Sequence, residues 1–157
     1  MKPLGASVIQ FFQKQGCVIV SSIDSQGFPH SACKGIVKIN QDGNIYLLDA
    51  YRGQTLQNLN NNPQVNITAF DEHKFIGYCL KGRARILSKT ELDAQIIKAW
   101  EDRITGRLTQ RLLKNIRGEL KGHPRHPEAL LPEPEHMIVV DVEEIVDLTP
   151  QHLRPGV

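Results

Sequence analysis

The sequence predicts a mainly β protein with added helices, an α+β chain built on a six-stranded antiparallel barrel. Three observations predict it. Five β-rich runs occupy the stretch from Cys17 to Leu87, mostly joined by short turns, which implies antiparallel pairing. An amphipathic helical stretch interrupts the β pattern after Ser88. A last apolar run, Met137 to Val146, returns to it and supplies the sixth strand.

Size and charge fit this reading. A chain of 157 residues sets the expectation of one domain, spanning residues 1–157. Its barrel core is expected at about residues 8–88 plus 136–148, with a helical insertion at about 89–121. Apolar residues make up 40% and charged residues 23%, an ordinary globular balance. The net charge of +2 is too small to call for a nucleic-acid partner. No apolar run reaches the ~18 residues of a membrane span, and the start lacks a signal-peptide pattern. Cys17, Cys33 and Cys79 are odd in number and far apart in sequence, and they form no C-x-x-C pair. A reducing cytoplasm is the simplest expectation.

The elements follow in order. Residues 4–15 carry Val8, Ile9, Phe11 and Phe12 at helical spacing, and Gly16 stops them. Residues 17–23 are a strand, and Asp24-Ser-Gln-Gly27 is a turn. Residues 28–40 form the second strand, with Pro29 near its start because proline cannot donate to a ladder. Asn40-Gln-Asp-Gly43 is a hairpin turn, and residues 44–50 return. Thr55 to Asn60 reads as a short helix with Leu56 and Leu59 inward, ended by Pro63. Residues 65–70 and 75–87 are strands, the second holding Gly77 and Gly82. Glycine inside a strand marks a bulge or a close approach.

Ser88-Lys-Thr-Glu91 is a capping box that opens a helix with Leu92, Ile96, Ile97, Trp100 and Ile104 on one stripe. Thr105-Gly106 is expected to interrupt it, and Leu108, Leu112, Leu113, Ile116 and Leu120 repeat the spacing in a second helix. Four prolines make residues 122–135 an irregular loop.

Arg52-Gly53-Gln54-Thr55 sits where a strand gives way to a helix. A helix N-terminus offers unpaired N–H groups and the positive end of the dipole. Gly53 permits close approach, Thr55 adds a hydroxyl and Arg52 a charge, a set that can hold a phosphate or merely cap the helix. On the second strand His30, Lys34 and Lys38 share a face by period two. A lysine in mid-strand is there for a partner or a ligand, or faces solvent. Lys81, Arg83 and Arg85 read as a solvated basic stripe. Cys33 reads as a buried structural thiol, with a redox role as the alternative, and Cys17 and Cys79 read as core thiols. His123, His126 and His136 lack the spacing of a metal site.

Several motifs occur in a telling order: Gly27-Phe-Pro-His30, Tyr46-Leu-Leu-Asp49, Gly53-Gln-Thr-Leu-Gln-Asn-Leu59, Asn62-Pro-Gln-Val65 and Gly77-Tyr-Cys-Leu-Lys-Gly82. In this order and spacing the chain resembles the FMN-binding split barrels of the pyridoxamine 5'-phosphate oxidase-like family. The resemblance implies a split barrel that binds FMN at the interface of a homodimer. The segment Ser31, Ala32, Cys33 and Lys34 would run along the flavin ring and ribityl chain. Leu47, Leu48 and Asp49 would contact the ring side. Arg52, Gly53, Gln54 and Thr55 would hold the phosphate, and Gly77 and Tyr78 would approach from the partner subunit. The chain lacks the terminal substrate-gripping segment of the true oxidase, so synthesis of pyridoxal phosphate is not implied.

The function expected is that of a flavoprotein oxidoreductase or electron-transfer protein acting on a small-molecule substrate or redox partner. Two alternatives share the barrel: a non-catalytic flavin carrier or sensor, and a protein using deazaflavin or haem. Arg107, Arg111, Lys114, Arg117 and Lys121 recur at helical spacing. They form a solvated face or meet an anionic partner such as a nicotinamide nucleotide.

Overall fold

The computed structural model describes residues 1–49, 53–116 and 135–154. Six strands, β1 (Val18–Ile23), β2 (Pro29–Ile39), β3 (Asn44–Leu48), β4 (Gln64–Asp71), β5 (Ile76–Ser88) and β6 (His136–Asp147), close in the order β1-β2-β3-β6-β5-β4. Every pairing is antiparallel, and β1 closes the ring by pairing with both β2 and β4. Three helices, α1 (Ala6–Gln13), α2 (Gln54–Asn61) and α3 (Ala94–Ile116), accompany the barrel.

Alternation explains the core. Val18, Val20, Ile67, Leu80, Val140 and Val142 fall on inward positions and are almost wholly buried. α1 contributes Val8, Ile9 and Phe12 to the same core. The chain before it is pinned by Lys2 N–H to Val142 O (2.6 Å) and Leu4 N–H to Gln41 O (2.9 Å). Gly43 takes φ +99° in the β2–β3 turn, and a Cβ there would strike the Lys2 carbonyl, so this turn needs glycine. At Lys81/Gly82 the register with β6 shifts, and a Cβ on Gly82 would collide with the Asp141 carbonyl. The glycine thus permits the close approach of β6 at its bulge, where Glu143 is the extra residue.

Three sequence expectations change. Ser88 and Glu91 do form the capping box, but it closes a short 3-10 turn, Lys89–Glu91. The α-helix starts later, where Asp93 Oδ1 accepts from Ile96 N–H at 2.8 Å. α3 then runs unbroken through Thr105-Gly106 to Ile116. One helical glycine costs only about 1 kcal/mol, too little to end a helix held by packing. The start of the helix packs in a second apolar cluster, Leu92, Ile96 and Met137 with Val37, Tyr46, Leu87 and Ile97. Residues 117–121 of the expected second helix and the loop to residue 134 lie outside the described residues.

Lys38 is the second change. The β2–β3 register shifts between Ile36 and Lys38, so Ile36 and Ile39 both enter the core. Lys38 instead pairs with Tyr46, away from Lys34. The thiols are the third. Cys17 and Cys33 are exposed and Cys79 is half-buried, because their positions face outward in the alternation. Lys81, Arg83 and Arg85 are exposed as expected.

Candidate functional site

The site assembles at one end of the barrel. Gly35 on β2 pairs with Leu48 on β3, and Leu48 pairs with Met137 on β6. One step further along each strand stand Lys34, Asp49 and His136, with His136 also opposite Ser88 of β5. Their side chains meet. Lys34 Nζ donates to Asp49 Oδ1 at 2.5 Å, and His136 Nε2 lies 3.0 Å from Asp49 Oδ2. The side chains are 9%, 3% and 9% exposed for lysine, aspartate and histidine, so a buried carboxylate is satisfied on both oxygens. An ionised carboxylate only accepts, which places a proton on His136 Nε2.

Beside this node α2 begins at Gly53, which takes an extended conformation and has no side chain to cap the helix. Its first-turn N–H groups and dipole end therefore suit an anion better than a side-chain cap would allow. The helix is docked by a polar relay: Gln54 Nε2 donates to Asn58 Oδ1 (2.8 Å), and Asn58 Nδ2 donates to Ser22 Oγ on β1 (3.0 Å). Asn58 and Thr55 are both buried.

The expected site residues divide. Lys34 and Asp49 come into direct contact, and Gly53, Gln54 and Thr55 form the helix start that follows. Ala32 is half-buried, while Ser31 and Cys33 point outward, Ser31 Oγ lying 3.0 Å from Ser21 Oγ. Leu47 is wholly inside the core, and Leu48 is half-buried. Gly77 and Tyr78 stand apart from this group on β5. The Tyr78 ring packs edge-on against Phe11 (5.2 Å between centroids), and burial, then the nearby Asp147 charge, pushes its hydroxyl pKa up. A Cβ on Gly77 would meet the Phe70 ring. Arg52 lies outside the described residues.

His136 is the member that sequence reasoning did not assign. A histidine heading an apolar strand was its signal, but the partner stands 87 residues away and only the register joins them.

Two clefts flank the outer side of β1 and β2. One, of about 430 Å³, is lined by Ser21, Pro29, Gln64, Asn66 and Lys81. The other, of about 600 Å³, lies between the end of α1 and α3, where Lys14, Arg103 and Arg107 give it a basic lining with Asp102 opposing them. Among the described residues no helix is long and apolar enough to cross a membrane.

A closed antiparallel barrel with a buried charged node beside a glycine-started helix defines a split-barrel protein. The family model described as pyridoxamine 5'-phosphate oxidase matches residues 5–148, nearly the whole chain, and the chain belongs to that family. The fold is shared with solved structures of low identity. HupZ of Group A Streptococcus superposes with a TM-score of 0.65 at 18% identity, covering 93% of this chain and 95% of the other. A Clostridium acetobutylicum protein related to general stress protein 26, of the pyridoxinephosphate oxidase family, gives 0.58 at 13%, covering 94% and 95%. HutZ, the heme storage protein of Vibrio cholerae, gives 0.53 at 19%, covering 92% and 94%. No curated protein sequence matches the chain.

Proposed function

We propose that this chain is a flavoprotein that binds FMN across a homodimer interface and exchanges electrons or hydride with a small-molecule substrate or redox partner. One observation carries the reading. The segments 31–34 and 47–49 are tied by the Lys34–Asp49 pair, and the helix start at 53–55 follows shortly after in the chain. When bound, FMN supplies the redox chemistry. The chain's own residues bind and orient it. Gly53, Gln54 and Thr55, with Arg52, hold the terminal phosphate by backbone amides, a hydroxyl and a charge. The backbone of Ser31, Ala32 and Cys33 would line the ring and ribityl chain, and Leu48 and Asp49 would border the ring. Lys34 fixes Asp49, to whose Oδ1 its ammonium donates.

The homodimer reading rests on the outer sheet face. Ile19 and Phe70 are 45% and 46% exposed on adjoining strands, apolar surface that a second copy would cover. Gly77 and Tyr78, apart from the site within one chain, would be brought to it by that second copy.

Visible absorption of purified protein tests the cofactor. A flavin spectrum, or an FMN-dependent rise in melting temperature, is expected at about one FMN per chain, since a ligand bound only to the native state stabilises it. A haem Soret band, a deazaflavin spectrum, or a colourless protein indifferent to FMN would overturn the assignment. Light scattering showing a monomer with FMN bound would overturn the dimer.

A further inference from the structure

We propose that Cys17 and Cys33 form a dithiol site that a small peroxide converts to an intrachain disulfide. Register brings them together. Ile19 on β1 pairs with Cys33 on β2, and Cys17 stands two residues before Ile19 on the same outward side, so the two thiols are diagonal neighbours. Their side chains are close enough to influence one another, and both are exposed. A disulfide needs its Cα atoms within about 4.4–6.8 Å, slightly closer than a typical diagonal pair. The movement falls on Cys17, which precedes the ladder, follows Gly16 and is not locked by strand pairing. A Cβ on Gly16 would find nothing within 4 Å, so the joint has room.

The chemistry balances with peroxide as the oxidant. Cys17 as thiolate attacks one peroxide oxygen, forming a sulfenic acid and releasing water. The Cys33 sulfur then attacks the Cys17 sulfur, the S–S bond forms, and the sulfenic oxygen leaves as a second water. Two thiols lose two electrons and the peroxide gains them. The roles follow from surroundings. Burial, then the hydrogen bond and charge of Cys17, push the Cys33 thiol up to about 11, and the first attack is assigned to Cys17 because it precedes the ladder and is free to move. Once Cys17 is a neutral sulfenic acid its charge no longer opposes ionisation of Cys33, and Arg107 and Lys34 nearby favour the Cys33 thiolate. The thiol contact lies within one chain, on the segment that is also proposed to border FMN.

The test is treatment of the full chain with dilute hydrogen peroxide, followed by thiol counting and peptide mapping by mass spectrometry. The free-thiol count is expected to fall from three to one, with a Cys17–Cys33 linked peptide. Cys79→Ser should leave the bridge intact, and Cys17→Ser and Cys33→Ser should each abolish it. Circular dichroism checks that the variants fold, and Cys17→Ser lies outside the strand should Cys33→Ser disturb β2. Three persistent thiols, a bridge that includes Cys79, a bridge between two chains, or sulfinic acid at Cys17 without a bridge would each overturn the proposal.

Discussion

Lys34 Nζ and Asp49 Oδ1 stand 2.5 Å apart at the barrel end, with both side chains almost fully withdrawn from solvent. Neither charge is tolerable there without the other, because isolated burial costs several kcal/mol per ion. The pair therefore binds the edge of β2 to the segment that leads into α2.

Replacing one partner should be severe. Asp49→Ala strands the Lys34 ammonium and leaves His136 without its acceptor, and is expected to destabilise the fold by about 3–5 kcal/mol. The double change Lys34→Met with Asp49→Leu should cost clearly less than the sum of the single changes. Urea unfolding of the parent, Asp49→Ala, the two single changes and the double change measures both.

The phosphate assignment is tested by comparing two ligands that differ in one group. Arg52→Ala with Thr55→Ala should weaken FMN binding by roughly tenfold to several hundredfold, the equivalent of losing one charge-assisted hydrogen bond. Riboflavin, which lacks the phosphate, should bind nearly as before. Equal weakening of both ligands in a titration would mean that this loop supports the fold and not the phosphate.

The glycines differ in what surrounds them. Gly82→Ala would drive a methyl into the Asp141 carbonyl and Val142 Cα, backbone that cannot swing away, and should cost about 1–3 kcal/mol or more. Gly77→Ala meets chiefly the Phe70 ring, which is about half exposed, and should cost less. Gly106→Ala meets nothing within 4 Å inside α3 and should stabilise by about 0.5–1 kcal/mol. Thermal melts of the three variants give the order.

The capping box carries a pH signature. Glu91 Oε2 accepts from Ser88 Oγ at 2.6 Å and Ser88 N–H at 2.8 Å, which holds its carboxyl below the ordinary glutamate range. A depressed folded pKa gives stability that is present above the unfolded value, about 4.3, and lost as pH falls through the folded one. Glu91→Gln should therefore lose less stability than the parent on the acid side of about pH 4.3. Melts through the acid range should show two limbs converging.

The strands, the turns and the start of α2 were legible in the sequence because their determinants are local. Period-two alternation makes β1 and β4, Asn40 to Gly43 makes a turn, and Gly53 to Thr55 marks a helix start whatever lies beyond. The continuity of α3 was not legible, because a lone Gly106 reads as a break until the packing of Leu92 and Ile96 against Met137 outweighs it. Nor were the outward turn of Lys38, the Lys34–Asp49–His136 node or the meeting of Cys17 with Cys33. Each depends on register, and register is set by how all six strands close into one ring. A shift of one residue at the β2 bulge moves a lysine from one face to the other. The sequence by itself determined which residues make strands and where α2 starts. Only closure of the barrel decided which side chains meet, because contacts across 87 residues of chain follow from pairing geometry and not from any local pattern.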